Sequence, residues 1–105
     1  MATVVSAREA ASAAALGPDL LEARLDLMGG DPWGELPSIR AAFGGPVILT
    51  LRSTAEGGRF AGGPAAWWEA LRPLLRFGDL VDVELPFASF VPLIRRAGKG
   101  IIASR

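Results

Sequence analysis

Five short apolar runs, each separated from the next by a segment with helical spacing, organise this sequence. The runs begin about 15 to 35 residues apart, which suits strand–helix–strand crossovers rather than hairpins. The predicted order of elements is therefore βαβαβαβαβ. The predicted strands are Thr3–Ser6, Leu20–Leu27, Val47–Ser53, Leu80–Leu85 and Gly100–Ser104.

Apolar residues recur at helical spacing between these runs, and glycine or proline ends most of the segments. Ser6 is a suitable cap for the first helix, and Pro64 is a suitable first residue for the third. Crossovers of this length make neighbouring strands parallel and cover the sheet with helices. We therefore predict one α/β domain over residues 1–105, with a parallel sheet in the order 1-2-3-4-5 that is dry on both faces. The predicted helices are Arg8–Leu16, Pro32–Phe43, Pro64–Phe77 and Phe87–Ala97.

The composition excludes several classes of function. Lysine plus arginine and aspartate plus glutamate both number 11, which predicts neither a nucleic-acid nor a membrane partner. Histidine and cysteine are absent, so no metal site, disulfide or cysteine nucleophile is predicted, and no cofactor. No apolar run approaches the roughly 20 residues of a membrane span, and the first residues do not resemble a signal peptide. We expect a cytoplasmic protein.

Charged and polar residues gather where the predicted strands end, which is where parallel α/β folds bind ligands. Glu22, Arg24 and Asp26 are two residues apart and therefore share one face of their strand. Because buried charges need partners, we expect Arg24 and Arg52 to lie within reach of Glu22 or Asp26. Balanced charge and the lack of a glycine-rich phosphate loop favour a small polyhydroxylated acid as ligand. The residues of this rim are Ser6, Arg24, Asp26, Arg52, Ser53, Glu84, Ser104 and Arg105.

Some of these features have a plainer interpretation. The rim could be the solvent face of an antiparallel sheet, although the crossover spacing argues against it. Trp67 and Trp68 could form a binding platform, but the apolar stripe on their helix favours a core position for Trp67. The Gly57–Gly63 segment is predicted to be a flexible loop, and it could also act as a lid.

Each predicted strand carries a short motif: Val-Ser at 5–6, Leu-Glu-Ala-Arg-Leu-Asp-Leu at 21–27, Ile-Leu-Thr-Leu-Arg-Ser-Thr-Ala-Glu-Gly-Gly at 48–58, Val-Asp-Val-Glu-Leu at 81–85 and Ile-Ile-Ala-Ser at 101–104. In this order, the five motifs resemble type I 3-dehydroquinate dehydratases. The resemblance implies a (β/α)8 barrel, of which this chain holds the first five strands and four helices. Members of that family dehydrate 3-dehydroquinate to 3-dehydroshikimate, through a Schiff base, in chorismate and aromatic amino-acid biosynthesis.

The resemblance also assigns roles to individual residues. It implies that a group of polar residues contacts the substrate, 3-dehydroquinate, and that Glu56 orients the catalytic histidine. That histidine and the Schiff-base lysine would follow Arg105, so no catalytic residue is expected here and the isolated, truncated chain is predicted to be inactive. Lys99 precedes the fifth strand and is interpreted as a solvated loop lysine. The implied substrate-binding residues are Ser6, Glu22, Arg24 and Arg52.

Two other functions stay open at this point. The chain could be a non-catalytic half-barrel that binds a small hydroxy acid or assembles with a separate carboxyl-terminal half. It could also belong to another Schiff-base, aldolase-like barrel, although the Arg-Ser-x-x-Glu-Gly-Gly loop counts against this. A half-barrel leaves its first and fifth strands unpaired and its inner face open to water, so self-association is expected. The inner-face candidates for exposure are Val5, Leu20, Ile48 and Ile102.

Overall fold

The computed structural model describes residues 1–29 and 32–104, and its strands form one parallel sheet in the order β1-β2-β3-β4-β5. Each strand pairs in parallel with the next strand along the chain, so the predicted order is confirmed. Arg105, predicted to lie on the rim, falls outside the described residues. The strands are β1 (Ala2–Val4), β2 (Leu21–Arg24), β3 (Val47–Thr50), β4 (Leu80–Glu84) and β5 (Gly100–Ser104).

The helical segments agree with the predicted crossovers but are shorter. The third and fourth predicted helices are partly 3-10 helix, at Arg72–Phe77 and Leu85–Phe90. Pro73 and Pro92 lie near these junctions, and proline lacks the N–H that would continue an α-helix. Strand β2 ends at Arg24 and is followed by a 3-10 turn, so the predicted strand was too long. The α-helices are α1 (Ala7–Ala14), α2 (Pro32–Ala42), α3 (Pro64–Leu71) and α4 (Val91–Arg96).

The hydrophobic core lies on one face of the sheet only. Alternate residues of a strand share a face, and the core takes alternate strand residues such as Leu21 and Ala23 of β2. Buried residues of all four helices pack against that face, because crossovers of one hand place helices on the same side. The core residues of the sheet are Val4, Leu21, Ala23, Val47, Leu49, Val81 and Val83, and those of the helices include Ala10, Leu36, Ile39, Trp67, Leu71 and Ile94.

The opposite face of the sheet is not dry, which corrects the prediction from crossover spacing. It carries Glu22, Arg24 and Asp82, all of which are only partly buried. Among the described residues, no helix packs against this face of the sheet. Among the apolar candidates for exposure, Ile48 is only 4% exposed, so that part of the prediction is wrong. Its register partners Glu22 and Leu80 flank it on both sides.

The third crossover brings a tryptophan into the core and ties its loop to β3. Trp67 is 1% exposed, and its indole N–H donates to the carbonyl of Leu51 at 3.1 Å, so its predicted core role is confirmed. The Gly57–Gly63 loop is held by hydrogen bonds rather than free. The Phe60 N–H donates to the Arg52 carbonyl at 3.0 Å, and the Gly58 N–H donates to that of Ser53 at 2.8 Å.

Candidate functional site

The uncovered face of the sheet holds a connected set of polar side chains, called here the polar face. Its members come from all five strands or from the turn directly after a strand. Because the strands are parallel, their carboxyl ends meet at one edge, and the charged members cluster there. The polar face consists of Thr3, Glu22, Arg24, Asp26, Thr50, Arg52, Ser53, Asp82, Glu84 and Ser104.

Glu22 lies between two threonines on neighbouring strands. Its Oε1 accepts a hydrogen bond of 2.8 Å from the Thr3 hydroxyl, and its Oε2 accepts one of 2.7 Å from the Thr50 hydroxyl. Thr50 is 1% exposed, so the hydrogen bond on this side of the carboxylate is largely shielded from water. The two hydroxyls fix the orientation of Glu22 across β1, β2 and β3.

Arg24 and Asp26 form a two-pronged ion pair. The Arg24 Nε donates to Oδ1 at 3.0 Å and its Nη2 donates to Oδ2 at 2.8 Å. Asp26 also accepts the backbone N–H of Arg52 at 3.2 Å and of Arg59 at 3.1 Å. The prediction that Arg24 reaches Asp26 is therefore confirmed, and Asp26 joins the end of β2 to the loop after β3.

This environment perturbs both ionisable groups. Hydrogen bonding to Asp26 is the main reason why the pKa of Arg24 is raised above its ordinary value. Burial alone would raise the pKa of Asp26, but hydrogen bonds from Arg24 and from the backbones of Arg52 and Arg59 outweigh it and lower that pKa. Both groups are therefore held in their charged forms.

Arg52 connects β3 to β4 and β5. Its Nη1 and Nη2 donate to the two carboxylate oxygens of Asp82, each at 3.1 Å. Nη1 also lies 3.4 Å from Glu84 Oε2 and 3.0 Å from the Ser104 hydroxyl. Burial alone would lower the pKa of Arg52, but the hydrogen bond and charge of Asp82 and the charge of Glu84 raise it. The guanidinium is thus charged and fixed in place.

The predicted partners of Arg52 were wrong. Its side chain pairs with Asp82 and Glu84 rather than Glu22 or Asp26, and only its backbone N–H contacts Asp26. Asp82 and Glu84 alternate along β4, so both project onto the polar face beside Arg52.

Glu84 was placed on the rim by the sequence analysis but was not among the predicted substrate-binding residues. It is 2% exposed, and it accepts the Ser53 N–H at 2.9 Å and the Ser53 hydroxyl at 2.5 Å. A buried carboxylate held by three donors fixes the turn after β3 and, through it, Arg52. The alternation Asp82-x-Glu84 on an otherwise apolar strand was the available signal.

The remaining predicted site residues lie at the margin. The Ser6 hydroxyl accepts the Glu9 N–H at 3.2 Å and caps α1. Glu56 is exposed on the 3-10 turn Thr54–Glu56. The structure therefore gathers Glu22, Arg24 and Arg52 on one face, whereas Ser6 and Glu56 serve a helix start and a loop.

The arrangement suits recognition of hydroxyl and carboxylate groups. No group of histidine, cysteine, aspartate or glutamate that could hold a metal occurs among residues 1–29 and 32–104. Lys99 precedes β5, and a five-residue strand at about 3.3 Å per residue separates it by about 15 Å from the carboxyl end. In the same described ranges no helix is long and apolar enough to cross a membrane.

Comparison with protein families and curated proteins gives a consistent result. The family model described as type I 3-dehydroquinase matches residues 1–105. The chain is 45% identical over 104 residues to the 3-dehydroquinate dehydratase of Methanoregula boonei, covering 99% of this chain and 50% of that protein. It is 40% identical to the 3-dehydroquinate dehydratase of Methanospirillum hungatei, covering 99% of this chain and 41% of the relative. The chain thus spans half or less of the length of these relatives.

Solved structures show the same fold. The type I 3-dehydroquinate dehydratase of Clostridium difficile, with covalently modified comenic acid, superposes with a TM-score of 0.87 at 20% identity, over 99% of this chain and 49% of that one. The 3-dehydroquinate dehydratase of Aquifex aeolicus gives a TM-score of 0.75 at 25% identity, over 99% of this chain and 51% of that one. The five strands and four helices therefore correspond to half of this TIM-barrel fold.

Proposed function

Because the chain belongs to the type I 3-dehydroquinase family, we propose that it forms the substrate-binding part of a 3-dehydroquinate dehydratase. Such an enzyme is a hydro-lyase that converts 3-dehydroquinate to 3-dehydroshikimate in the shikimate pathway. The observation that carries the proposal is the fixed pair of charged guanidinium groups, Arg24 and Arg52, on the same polar face as Glu22.

The two arginines have donors left for a substrate. Arg24 binds Asp26 through Nε and Nη2, so the hydrogen bonds among the described residues leave its Nη1 for a substrate hydroxyl. Arg52 uses Nη1 and Nη2, which leaves Nε. Both groups are held by carboxylates before any ligand arrives, which reduces the entropy lost on binding. In this proposal, the Glu22 carboxylate accepts a hydrogen bond from another substrate hydroxyl.

Ser6 and Glu56 complete the proposed site. The Ser6 hydroxyl caps α1 by accepting a hydrogen bond, so its own proton remains for a substrate oxygen. Glu56 stands on the turn that follows β3, where its exposed carboxylate is accessible to a histidine from elsewhere in the barrel. Residues 1–105 act as a single partial (β/α)8 domain in this proposal.

The proposed reaction needs groups that these residues do not include. In the family, a lysine forms an iminium that acidifies the α-proton, and a histidine removes that proton. Residues 1–105 contain no histidine, and their one lysine, Lys99, lies at the opposite end of the sheet. The chain by itself is therefore proposed to bind without turnover.

A chimaera tests the proposal. Residues 1–105 are fused to the part of the Methanoregula boonei relative that this chain does not cover, since 104 residues are 45% identical. The fusion is expected to dehydrate 3-dehydroquinate, and Arg24→Gln and Arg52→Gln are each expected to raise KM. Arg95→Gln, an exposed arginine on α4, is the matched control. A folded fusion without activity, or one indifferent to both substitutions, refutes the proposal.

The isolated chain gives a second test. Borohydride is added to residues 1–105 together with 3-dehydroquinate, and no covalent adduct at Lys99 and no 3-dehydroshikimate are expected. A trapped adduct would show that Lys99 reaches the substrate and that the assigned roles are wrong.

Assembly is the remaining part of the proposal. Strands β1 and β5 are the edges of the sheet, and unpaired edges recruit other strands. We propose that these edges pair with a carboxyl-terminal half or with a second copy of the chain, in the cytoplasm. The second candidate function is a non-catalytic half-barrel that binds a small hydroxy acid or assembles with a separate carboxyl-terminal half, and the same edges favour the assembly. Turnover by the chimaera distinguishes the two.

A further inference from the structure

A groove of about 530 Å³ lies on the helical side of the sheet, away from the polar face. It is formed by α3, the 3-10 segment Arg72–Phe77, and α4 with the turn leading to β5. The volume is within the range of small-molecule sites. This groove is called the outer groove below.

The outer groove carries a concentration of positive charge. Its cations are Arg72, Arg76, Arg96 and Lys99, which are 4 of the 11 cations of a chain with a formal net charge of zero. No carboxylate among the described residues lines it. Like charges gathered in one groove repel one another, and an anionic ligand would relieve that repulsion.

Most of these cations are not paired with a carboxylate of the described residues. Arg76, Arg96 and Lys99 form no ion pair within residues 1–29 and 32–104. Arg72 lies 3.3 Å from Glu69, but both side chains are more than half exposed, so that pair is weak.

Arg76 is held in position by aromatic rings. Its Cζ lies 5.5 Å from the ring centroid of Trp33 and 4.8 Å from that of Phe77. Such contacts occupy the face of the guanidinium and leave its in-plane N–H donors for an anion. Trp33 itself is 52% exposed.

The floor of the outer groove is apolar. Leu75 is 7% exposed, Leu93 is 40% exposed, and the indole of Trp68 is fixed by stacking on Phe90 at 5.3 Å. A ligand that carries only charge would leave this surface in water, whereas a ring attached to the anionic group would cover it.

We propose that the outer groove binds a small ring-bearing anion, a cyclic or aromatic molecule with phosphate or carboxylate groups. The ring covers the apolar floor, and the anionic group accepts hydrogen bonds from Arg76, Arg96 and Lys99. None of the residues that line the outer groove belongs to the polar face, so the two sites are separate.

Equilibrium binding of phenyl phosphate to the 105-residue chain, followed by calorimetry, tests the proposal. Saturable binding of phenyl phosphate is expected. It should be tighter than binding of inorganic phosphate, which lacks the ring, and of benzyl alcohol, which lacks the anionic group. Arg76→Gln combined with Arg96→Gln is expected to weaken binding at least about tenfold, since two charge-assisted hydrogen bonds are lost.

The matched control removes the same charge elsewhere. Arg8→Gln combined with Arg95→Gln alters two exposed arginines outside the groove, and it is expected to change binding by less than about twofold. Lys99→Gln alone is the second test, in case the groove double variant does not fold, and it too is expected to weaken binding.

Several results would overturn the proposal. Equal losses in the groove and control variants would show nonspecific attraction to positive charge. Equal affinity for phenyl phosphate and inorganic phosphate would show that the apolar floor does not contribute to ligand binding. Tighter binding of a single-stranded oligonucleotide or an acidic peptide would assign the groove to a macromolecule. Absence of saturable phenyl phosphate binding would remove the site altogether.

Discussion

The guanidinium of Arg52, two residues beyond the end of β3, and the carboxylate of Asp82 on β4 form two hydrogen bonds of 3.1 Å each. The Arg52 side chain is 18% exposed and that of Asp82 is 10% exposed, so the pair is mostly shielded from water. Two parallel bonds fix the plane of the guanidinium as well as its position. The orientation of Arg52 on the polar face therefore depends on β4.

Removing the charge of Arg52 should destabilise the chain strongly. Arg52→Gln leaves Asp82 and the buried Glu84 without their cation, and the expected cost is about 3 kcal/mol of unfolding free energy. Arg52→Lys keeps the charge but loses the paired geometry, and about 1 kcal/mol is expected. Urea unfolding measures both, with the exposed Arg95→Gln as control. Equal stability of all three variants would contradict the structure.

A methyl group at Gly58 should disturb the same arginine. A Cβ at this position would collide with the carbonyl oxygen and the Cβ of Arg52. Gly58→Ala is therefore expected to cost about 1–3 kcal/mol, as overpacking does. In Gly44→Ala the added Cβ meets nothing within 4 Å, which makes it the matched control. Denaturation midpoints of the two variants check this, and an unaffected Gly58→Ala would show that the loop does not press against Arg52.

The stability of the chain should fall in acid partly through Asp26. Its pKa is lowered on folding, so its contribution is present above the ordinary value of 3.8 and is lost as the pH falls through the lower folded-state pKa. Asp26→Asn is expected to lower stability at neutral pH and to flatten the decline below about pH 4. Asp19→Asn, at an exposed loop aspartate, is the control. Identical acid profiles for Asp26→Asn and the unmodified chain would show that Asp26 is not held as described.

The isolated chain should self-associate. Strands β1 and β5 are open edges, and Val5 and Ile102 of the inner face are only partly buried. Sedimentation velocity at several concentrations is expected to show dimers or larger species. A charged residue on an edge hinders strand pairing, so Ile102→Lys on the inner face of β5 is expected to shift the equilibrium towards monomer. A compact monomer at every concentration would contradict this prediction.

The sequence by itself determined the architecture and the location of the polar residues. Crossover lengths fixed parallel pairing in sequential order, and the period of two placed Glu22 and Arg24 on one face of β2. These are local properties, because they depend only on the spacing of residues along a single segment. Helix ends were less accurate. Pro73 lacks a backbone N–H where the third predicted helix becomes a 3-10 segment, and α4 begins only at Val91, with Pro92 in its first turn.

Only the tertiary structure decided which charges pair. Arg52 contacts Asp82 rather than Glu22, and this choice depends on the register between β3 and β4. The outer groove likewise needs α3 and α4 side by side before Arg76 and Lys99 converge. The two-residue repeat of side chains along a strand tells which face of the sheet each residue lies on. The distances between side chains of different segments depend on how the whole core packs.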